Sequence, residues 1–372
     1  MTGPAIVDGV VVITNGKIAA VGAAADVSIP DGHRVLNAPI VTPGLIDART
    51  SVGLTGILNY DHDQDQLESA EPMQPQLRAV DAYNARDELI DWIRSFGVTT
   101  VHTGHAPGEV ISGQTMIVKL HGTEVGDNVL NDCATIAATI SPQAHKHEGK
   151  SPGTRGKLAA MLRQELIEAQ EYAKKADAAE DDKKPARDLK LEALGRVLRR
   201  EIPLMVTADR AQDIATALRI AKEFEIKIWL DSGAESYLMI DALKEANVPV
   251  LVHPLMYRAA GERENLSMET PANLKQAGLT VAFTSGFEDY VPKVRVVLFE
   301  AAIAQANGLL LEQTLAMLTI DAAKILGIDK RVGSLEVGKD GDLALYDGNP
   351  FEYTKHCVGV VIDGEVVSSE ER

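Results

Sequence analysis

The sequence predicts an α/β chain: a (β/α)₈ barrel with a small β-sandwich formed by both chain ends. Three observations lead there. The chain has 372 residues, too many for one ordinary core but suited to a barrel of roughly 250 residues plus a satellite domain. Its middle alternates apolar strand-like runs with amphipathic helical stretches, as parallel strands joined by crossover helices do. Its two ends carry short strands and tight-turn signals with no helical period. Length and strand number favour a closed barrel over the alternative, an open doubly wound sheet.

At the N-terminal end, Val10 to Ile13 leads into Asn15-Gly16, a hairpin signal, and Ile18 to Val21 ends at Gly22. From residue 43 the strand-like runs are Leu45-Ile46, Val98 to Val101, Met116 to Leu120, Ile202 to Val206, Ile226 to Leu230, Val248 to Val252 and Leu279 to Phe283. Helical stretches lie near 85–96, 156–176, 188–200, 210–224, 235–246, 270–277 and 292–307. The most charged segment, Ala176 to Asp188, reads as a solvated helix end and loop. Strand character returns with Leu335 to Val337, Leu343 to Tyr346 and Val358 to Ile362, the last followed by Asp363-Gly364. The simplest arrangement pairs the two ends, giving a composite β-sandwich from 1–42 and 335–372 around a barrel domain at 43–334.

Composition excludes several function classes. Net charge is −17, from 54 acidic against 37 basic side chains, so nucleic acid and anionic membranes should be repelled. No apolar run reaches the roughly 18 residues a membrane helix needs. Cys133 and Cys357 stand alone and read as buried thiols rather than a disulfide or zinc pair. There is no signal peptide, and a cytoplasmic location is the default expectation. Met1 to Pro4 runs almost at once into a strand, so the N-terminus reads as truncated.

Four motifs, in order, carry a resemblance. They are Asn15-Gly16-Lys17-Ile18-Ala19-Ala20-Val21-Gly22, Val41-Thr42-Pro43-Gly44-Leu45-Ile46-Asp47, Gly333 to Lys339 with Asp342-Leu343, and Ile362-Asp363-Gly364 with Val366-Val367. Together they resemble the amidohydrolase superfamily, closest to its imidazolonepropionase-like branch. The resemblance implies a TIM-barrel domain and metal-dependent hydrolysis of non-peptide C–N bonds. The metal would sit at the C-terminal mouth of the barrel, held by imidazoles and carboxylates, and would activate a water.

The ligand positions implied by that resemblance are occupied by other residues. Arg49 and Ser51 stand where a His-x-His pair is expected, Thr207 and Ser232 where two further histidines are, and Ser285-Gly286 where the general-base aspartate is. Glu288 and Asp289 follow slightly beyond. Hydroxyls are weak neutral ligands, glycine has no side chain, and Arg49 carries a fixed positive charge that repels a cation. The expected metal set is therefore not intact, and no cofactor is expected.

His102, His105, His253 and Lys119 remain as candidate catalytic groups at predicted strand ends. In some amidohydrolases a strand lysine bridges two metals after carboxylation, and Lys119 bears a weak similarity to it. Asp61-His62-Asp63 with Asp65 reads as an acidic lid, and His145 and His147 as loop residues. Phosphate-binding glycine loops and a nucleophile elbow are absent.

Two functions follow. The first is a catalytically degenerate amidohydrolase that binds a small molecule, forms homo-oligomers or pairs with an active relative. The alternative is an active hydrolase of a cyclic amide, amidine or small peptide-like substrate. It would work through a relocated or metal-free site, with zinc or another divalent metal if His102, His105 and His253 converge.

Overall fold

A computed structural model describes residues 3–58, 60–178, 180, 184–288 and 294–370. Asp289 and part of the charged segment at 176–188 lie outside the described residues.

Eight strands form one nearly closed barrel sheet in sequential order: β4 (Leu45–Thr50), β5 (Val98–Gly104), β6 (Ile111–Lys119), β7 (Val129–Thr139), β8 (Leu204–Ala208), β9 (Ile228–Ser232), β10 (Val250–Val252) and β11 (Val281–Phe283). Side chains alternate across it, as a pleated strand requires. Ile46, Ala48, Ile117, Ala137, Met205, Leu251 and Ala282 meet in one inner cluster. Their neighbours Val101, Val118, Ile136, Val206, Leu230, Val250 and Phe283 belong to a larger outer cluster. That cluster includes residues of α2 (Glu88–Arg94), α3 (Arg155–Ala178), α4 (Leu189–Leu198), α5 (Ala211–Glu223), α6 (Ile240–Glu245), α7 (Thr270–Gln276), α8 (Val297–Ala306) and α9 (Leu311–Met317). A four-residue α1 (Ala79–Ala82) packs on β6. Each fully buried Leu, Ile or Phe stabilises the core by about 1.5–3 kcal/mol.

The sheet departs from the expected all-parallel barrel at its third strand. β6 runs antiparallel to both β5 and β7. The physical reason is connection length. Only residues 105–110 join β5 to β6, too few for a crossover, whereas a short link suits an antiparallel return. β7 itself did not stand out in the sequence, because Asn131-Asp132 and its alanines dilute the apolar run.

The seam between β11 and β4 is closed by few bonds. The Gly286 N–H donates to the Arg49 carbonyl at 3.0 Å. The Ser285 N–H donates at 3.0 Å to the buried Asp47 carboxylate, which also takes the Arg49 N–H at 3.2 Å. Lower down, the Ile46 N–H goes to Leu318 instead of to β11. There α10 (Ile320–Leu326) packs against both strands and sends Ala322, Ala323 and Leu326 into the inner cluster.

The chain ends form separate small sheets. β1 (Gly9–Thr14) and β2 (Lys17–Ala23) make a hairpin. β3 (Ile40–Pro43), β12 (Leu343–Tyr346), β13 (Cys357–Ile362) and β14 (Glu365–Ser368) make an antiparallel sheet ordered β14-β13-β12-β3. Period 2 gives this sheet two apolar faces. Ala344, Tyr346, Val360 and Ile362 join the outer barrel cluster, while Leu343, Leu345 and Val361 meet Val11 and Ile13 of the hairpin. Both hairpin signals are two-residue turns with positive φ at each position: Asn15 (51°) and Gly16 (75°), Asp363 (50°) and Gly364 (82°). The turns touch, since a Cβ on Gly16 would lie 3.1 Å from the Asp363 carbonyl oxygen. No helix among the described residues is long and apolar enough to cross a membrane.

Candidate functional site

The C-terminal ends of β4, β8, β9, β10 and β11 surround a narrow cleft, lined among others by Arg49, Thr50, Thr207, Asp231, Tyr257, Arg263 and Gly286. This is the end at which barrels of this type carry their chemistry.

Arg49 sits on the last turn of β4, buried. Its guanidinium donates to the carbonyls of Thr50 (2.6 Å), Gly104 (3.3 Å) and His105. Burial pulls its pKa below the ordinary arginine value, against the opposing charges of Asp231 and Asp47. Asp47 lies behind it. Burial raises that carboxyl to about 7, against the bonds from Ser285 and Arg49.

Facing Arg49, Asp231 accepts the Thr207 hydroxyl at 2.6 Å. Burial raises the Asp231 pKa, with Arg49 pulling it back down. Next to it the Ser232 hydroxyl donates to Asp209 at 2.5 Å. Arg263 donates to the other Asp209 oxygen at 3.1 Å and lies 4.1 Å from the Tyr257 ring centroid, a cation–π contact. The Tyr257 hydroxyl donates to the Phe287 carbonyl at 3.0 Å. Gly286, with φ of 67°, allows close approach here. A Cβ at that position would lie 2.6 Å from the Tyr257 oxygen and 2.9 Å from Pro254. The segment after β10 is held from α8, where Glu300 accepts the N–H groups of Leu255 and Met256. Burial lifts Glu300 to about 7, against those two bonds.

The four candidate catalytic residues are not brought together. His102 points into the barrel, where Nδ1 meets the Ala48 carbonyl at 2.8 Å and Nε2 meets the Thr115 hydroxyl at 2.7 Å. The carbonyl can only accept, so Nδ1 carries the proton and Thr115 donates to Nε2. Burial, then the Arg49 charge, lowers the His102 pKa to about 3. His105 packs its ring against Gly113 of β6. Neither of its nitrogens has a hydrogen-bond partner among the described residues, and burial with Arg49 lowers its pKa to about 4. Among the described residues the His253 ring bonds only the Pro254 carbonyl, at 3.2 Å through Nδ1, and burial lowers its pKa to about 4.

Lys119 is at the other end of the molecule. Because β6 is reversed, its last residue lies opposite Thr100, near the start of β5. It is therefore at the floor, where its ammonium pairs with Asp340 (2.7 Å), Asp342 (3.0 Å) and Asp363 (2.6 Å). The expectation of a mouth position is corrected by strand direction.

Ser51 is buried, and its hydroxyl has no partner among the described residues. Asp61 to Asp63 form a short 3₁₀ turn in which exposed His62 stacks on Tyr60 at 5.6 Å. His145 and His147 lie on the loop before α3, beside the Lys146–Glu109 pair. Among the described residues no three His, Cys, Asp or Glu side chains converge in a way that could hold a metal ion. Asp231, Tyr257, Arg263 and Glu300 were not singled out in the sequence. Two signals were present: Asp231 is an acid closing an apolar strand run, and Glu300 is the one acid in the apolar helix VLFEAAIAQA.

Comparisons with known proteins agree with this architecture. A model described as the amidohydrolase family matches residues 303–368. The chain is 23% identical over 358 residues to the amidohydrolase tasK of Hapsidospora irregularis, covering 87% of this chain but only 36% of that protein's length. It is 24% identical over 391 residues to an imidazolonepropionase of Solibacter usitatus (strain Ellin6076), covering 96% of this chain and 90% of the relative. The crystal structure of an amidohydrolase from Thermotoga maritima MSB8 superposes with a TM-score of 0.91 at 32% identity, covering 97% of this chain and 95% of that one.

Proposed function

Because the chain belongs to the amidohydrolase superfamily, we propose that it is a degenerate member: it has given up metal-dependent hydrolysis and keeps a small-molecule cleft at the barrel mouth. One observation carries the reading. Of the positions where the superfamily pattern expects metal ligands, all but Ser51 hold groups bonded elsewhere. The Arg49 guanidinium is held by three carbonyls, and its fixed charge opposes a cation. The Thr207 hydroxyl serves Asp231, and the Ser232 hydroxyl serves Asp209. Gly286 offers no side chain, and its N–H closes the barrel seam. This donor set does not fit a divalent metal.

The alternative, a hydrolase with a relocated site, needs His102, His105 and His253 to face one space. Each ring has different surroundings instead, and both His102 nitrogens are already bonded. Within this reading, residues 1–42 with 335–372 form the composite sandwich domain and 43–334 the barrel domain. The cleft binds a small molecule, the chain associates with a second copy or with an active relative, and only the active relative would supply hydrolysis.

Metal content of tag-free protein, purified without chelators and measured by inductively coupled plasma mass spectrometry, tests the reading. Well under 0.1 metal per chain is the ~zero-occupancy result expected of a site lacking imidazole and carboxylate ligands. Near-stoichiometric zinc, iron or manganese would overturn it.

A further inference from the structure

We propose that the mouth cleft is an anion site, with a small carboxylate seated on Arg49 where the superfamily pattern seats a metal cation. This rests on the reading above that the mouth is metal-free.

A guanidinium has five N–H groups in a planar fork. In Arg49 three bonds are made, all to backbone carbonyls, leaving two N–H groups for a ligand. None of its nitrogens is both sealed from solvent and unpartnered, and the side chain lines the cleft. Among the described residues Arg49 forms no ion pair within 4.0 Å. Burying a fixed charge without an ionic partner costs free energy, which carbonyl dipoles offset only in part. A carboxylate supplies the missing charge and matches the fork in shape.

The rest of the lining is balanced in charge. Its charged side chains are Arg49, Arg263 and Asp231, and Arg263 is already paired with Asp209 at 3.1 Å. The hydroxyls of Thr207, Thr284 and Tyr257 spend their protons on Asp231, Val252 and Phe287, which leaves the arginines and the Thr50 hydroxyl as side-chain donors to a ligand. Asp231 lines the cleft and opposes an anion. The cleft is narrow, so the ligand is a compact acid.

The test uses full-length protein of known metal content and follows thermal unfolding. Sodium propionate is compared with its neutral isostere propionamide, at ionic strength matched with sodium chloride. Propionate is expected to raise the midpoint by at least about 2 °C at saturation while propionamide leaves it unchanged. Asp231→Asn keeps an acceptor for Thr207 and removes the opposing charge, so it should tighten propionate binding roughly fivefold. Arg49→Met should abolish the preference for propionate. Should that variant not fold, the isostere contrast and Asp231→Asn decide.

Equal shifts from propionate and propionamide, or an Asp231→Asn protein that binds propionate no better, would overturn the anion site while leaving the metal-free reading intact. A propionate effect that disappears together with a bound metal on EDTA treatment would place the anion on a cation and overturn both.

Discussion

At the floor of the barrel a buried cation is surrounded by acids; at the mouth a buried cation is surrounded by carbonyls. Lys119 meets Asp340, Asp342 and Asp363, which come from the C-terminal segment of the chain. Burial works against its charge, yet those carboxylates hold its pKa above the ordinary lysine value. Asp340 also takes Lys17 of the N-terminal hairpin and Arg331 at 2.8 Å. One ionic knot thus ties β6, the hairpin and the small sheet together. Arg49 has no such partner, and its pKa moves the other way. A satisfied charge network rigidifies, whereas a half-satisfied one leaves interaction free energy for something else. The floor therefore reads as stability and the mouth as binding, the division of labour expected of barrels.

The largest expected effect breaks the floor outright. Deleting residues 335–372 removes β12, β13 and β14, strips β3 of its partner and takes away all three Lys119 acids. The remaining chain should aggregate or fail to melt cooperatively, as read by size-exclusion chromatography and circular dichroism. A soluble, cooperatively melting truncation would show that the small sheet is an accessory. Next comes Lys119→Met, which leaves three acids together without their shared cation. It should cost about 3–5 kcal/mol in urea unfolding, the penalty of breaking a buried pair from one side. A cost below about 1 kcal/mol would mean that Lys17 and Arg331 suffice.

The same contrast explains what was legible in the sequence. Periodicity exposed seven of the eight barrel strands, because an apolar run bounded by turns survives in one dimension. The two-residue turns were legible too, since Asn15-Gly16 and Asp363-Gly364 need positive φ wherever they occur. The direction of β6 was not, and with it went the placement of Lys119. Strand direction depends on the six residues 105–110 being too short for a crossover, and β7 had to be seen before that spacing meant anything. Arg49 was legible as a misfit through its motif, but its three carbonyl partners come from strand ends some fifty-five residues apart. The partnership of Asp231 with Thr207 was hidden for the same reason: the two sit side by side only once β8 and β9 pair.

Between floor and mouth lies a pH effect with a definite sign. Burial raises Glu300 from 4.5, and Asp47 from 3.8, to about 7 in each case. A carboxyl with a raised folded-state pKa binds its proton more tightly when folded. Its contribution to stability is full below the unfolded value and is lost as pH rises through about 7. Stability should therefore fall between about pH 4 and pH 7, by up to roughly 3–4 kcal/mol for each group. Urea unfolding of Glu300→Gln, which keeps an acceptor for Leu255 and Met256, should show a shallower slope than the parent across that range. An unchanged slope would assign the effect to Asp47 alone, and a slope of opposite sign would remove both groups from the account.

The smallest expected effect is the sharpest check on the comparison. Thr207→Val deletes the 2.6 Å bond to Asp231 while keeping the side chain's volume and β-branching. One neutral-to-charged hydrogen bond contributes about 1–3 kcal/mol in a sealed site. Here the cleft lets water reach the freed carboxylate, so the loss should stay near 1 kcal/mol. Set beside Lys119→Met, this predicts that breaking a mouth contact costs several-fold less stability than breaking the floor knot, although the mouth bond is as short as the Lys119–Asp363 pair. Equal costs in urea unfolding would mean that the mouth is built as rigidly as the floor, and the cleft would lose its standing as the place left open for a ligand.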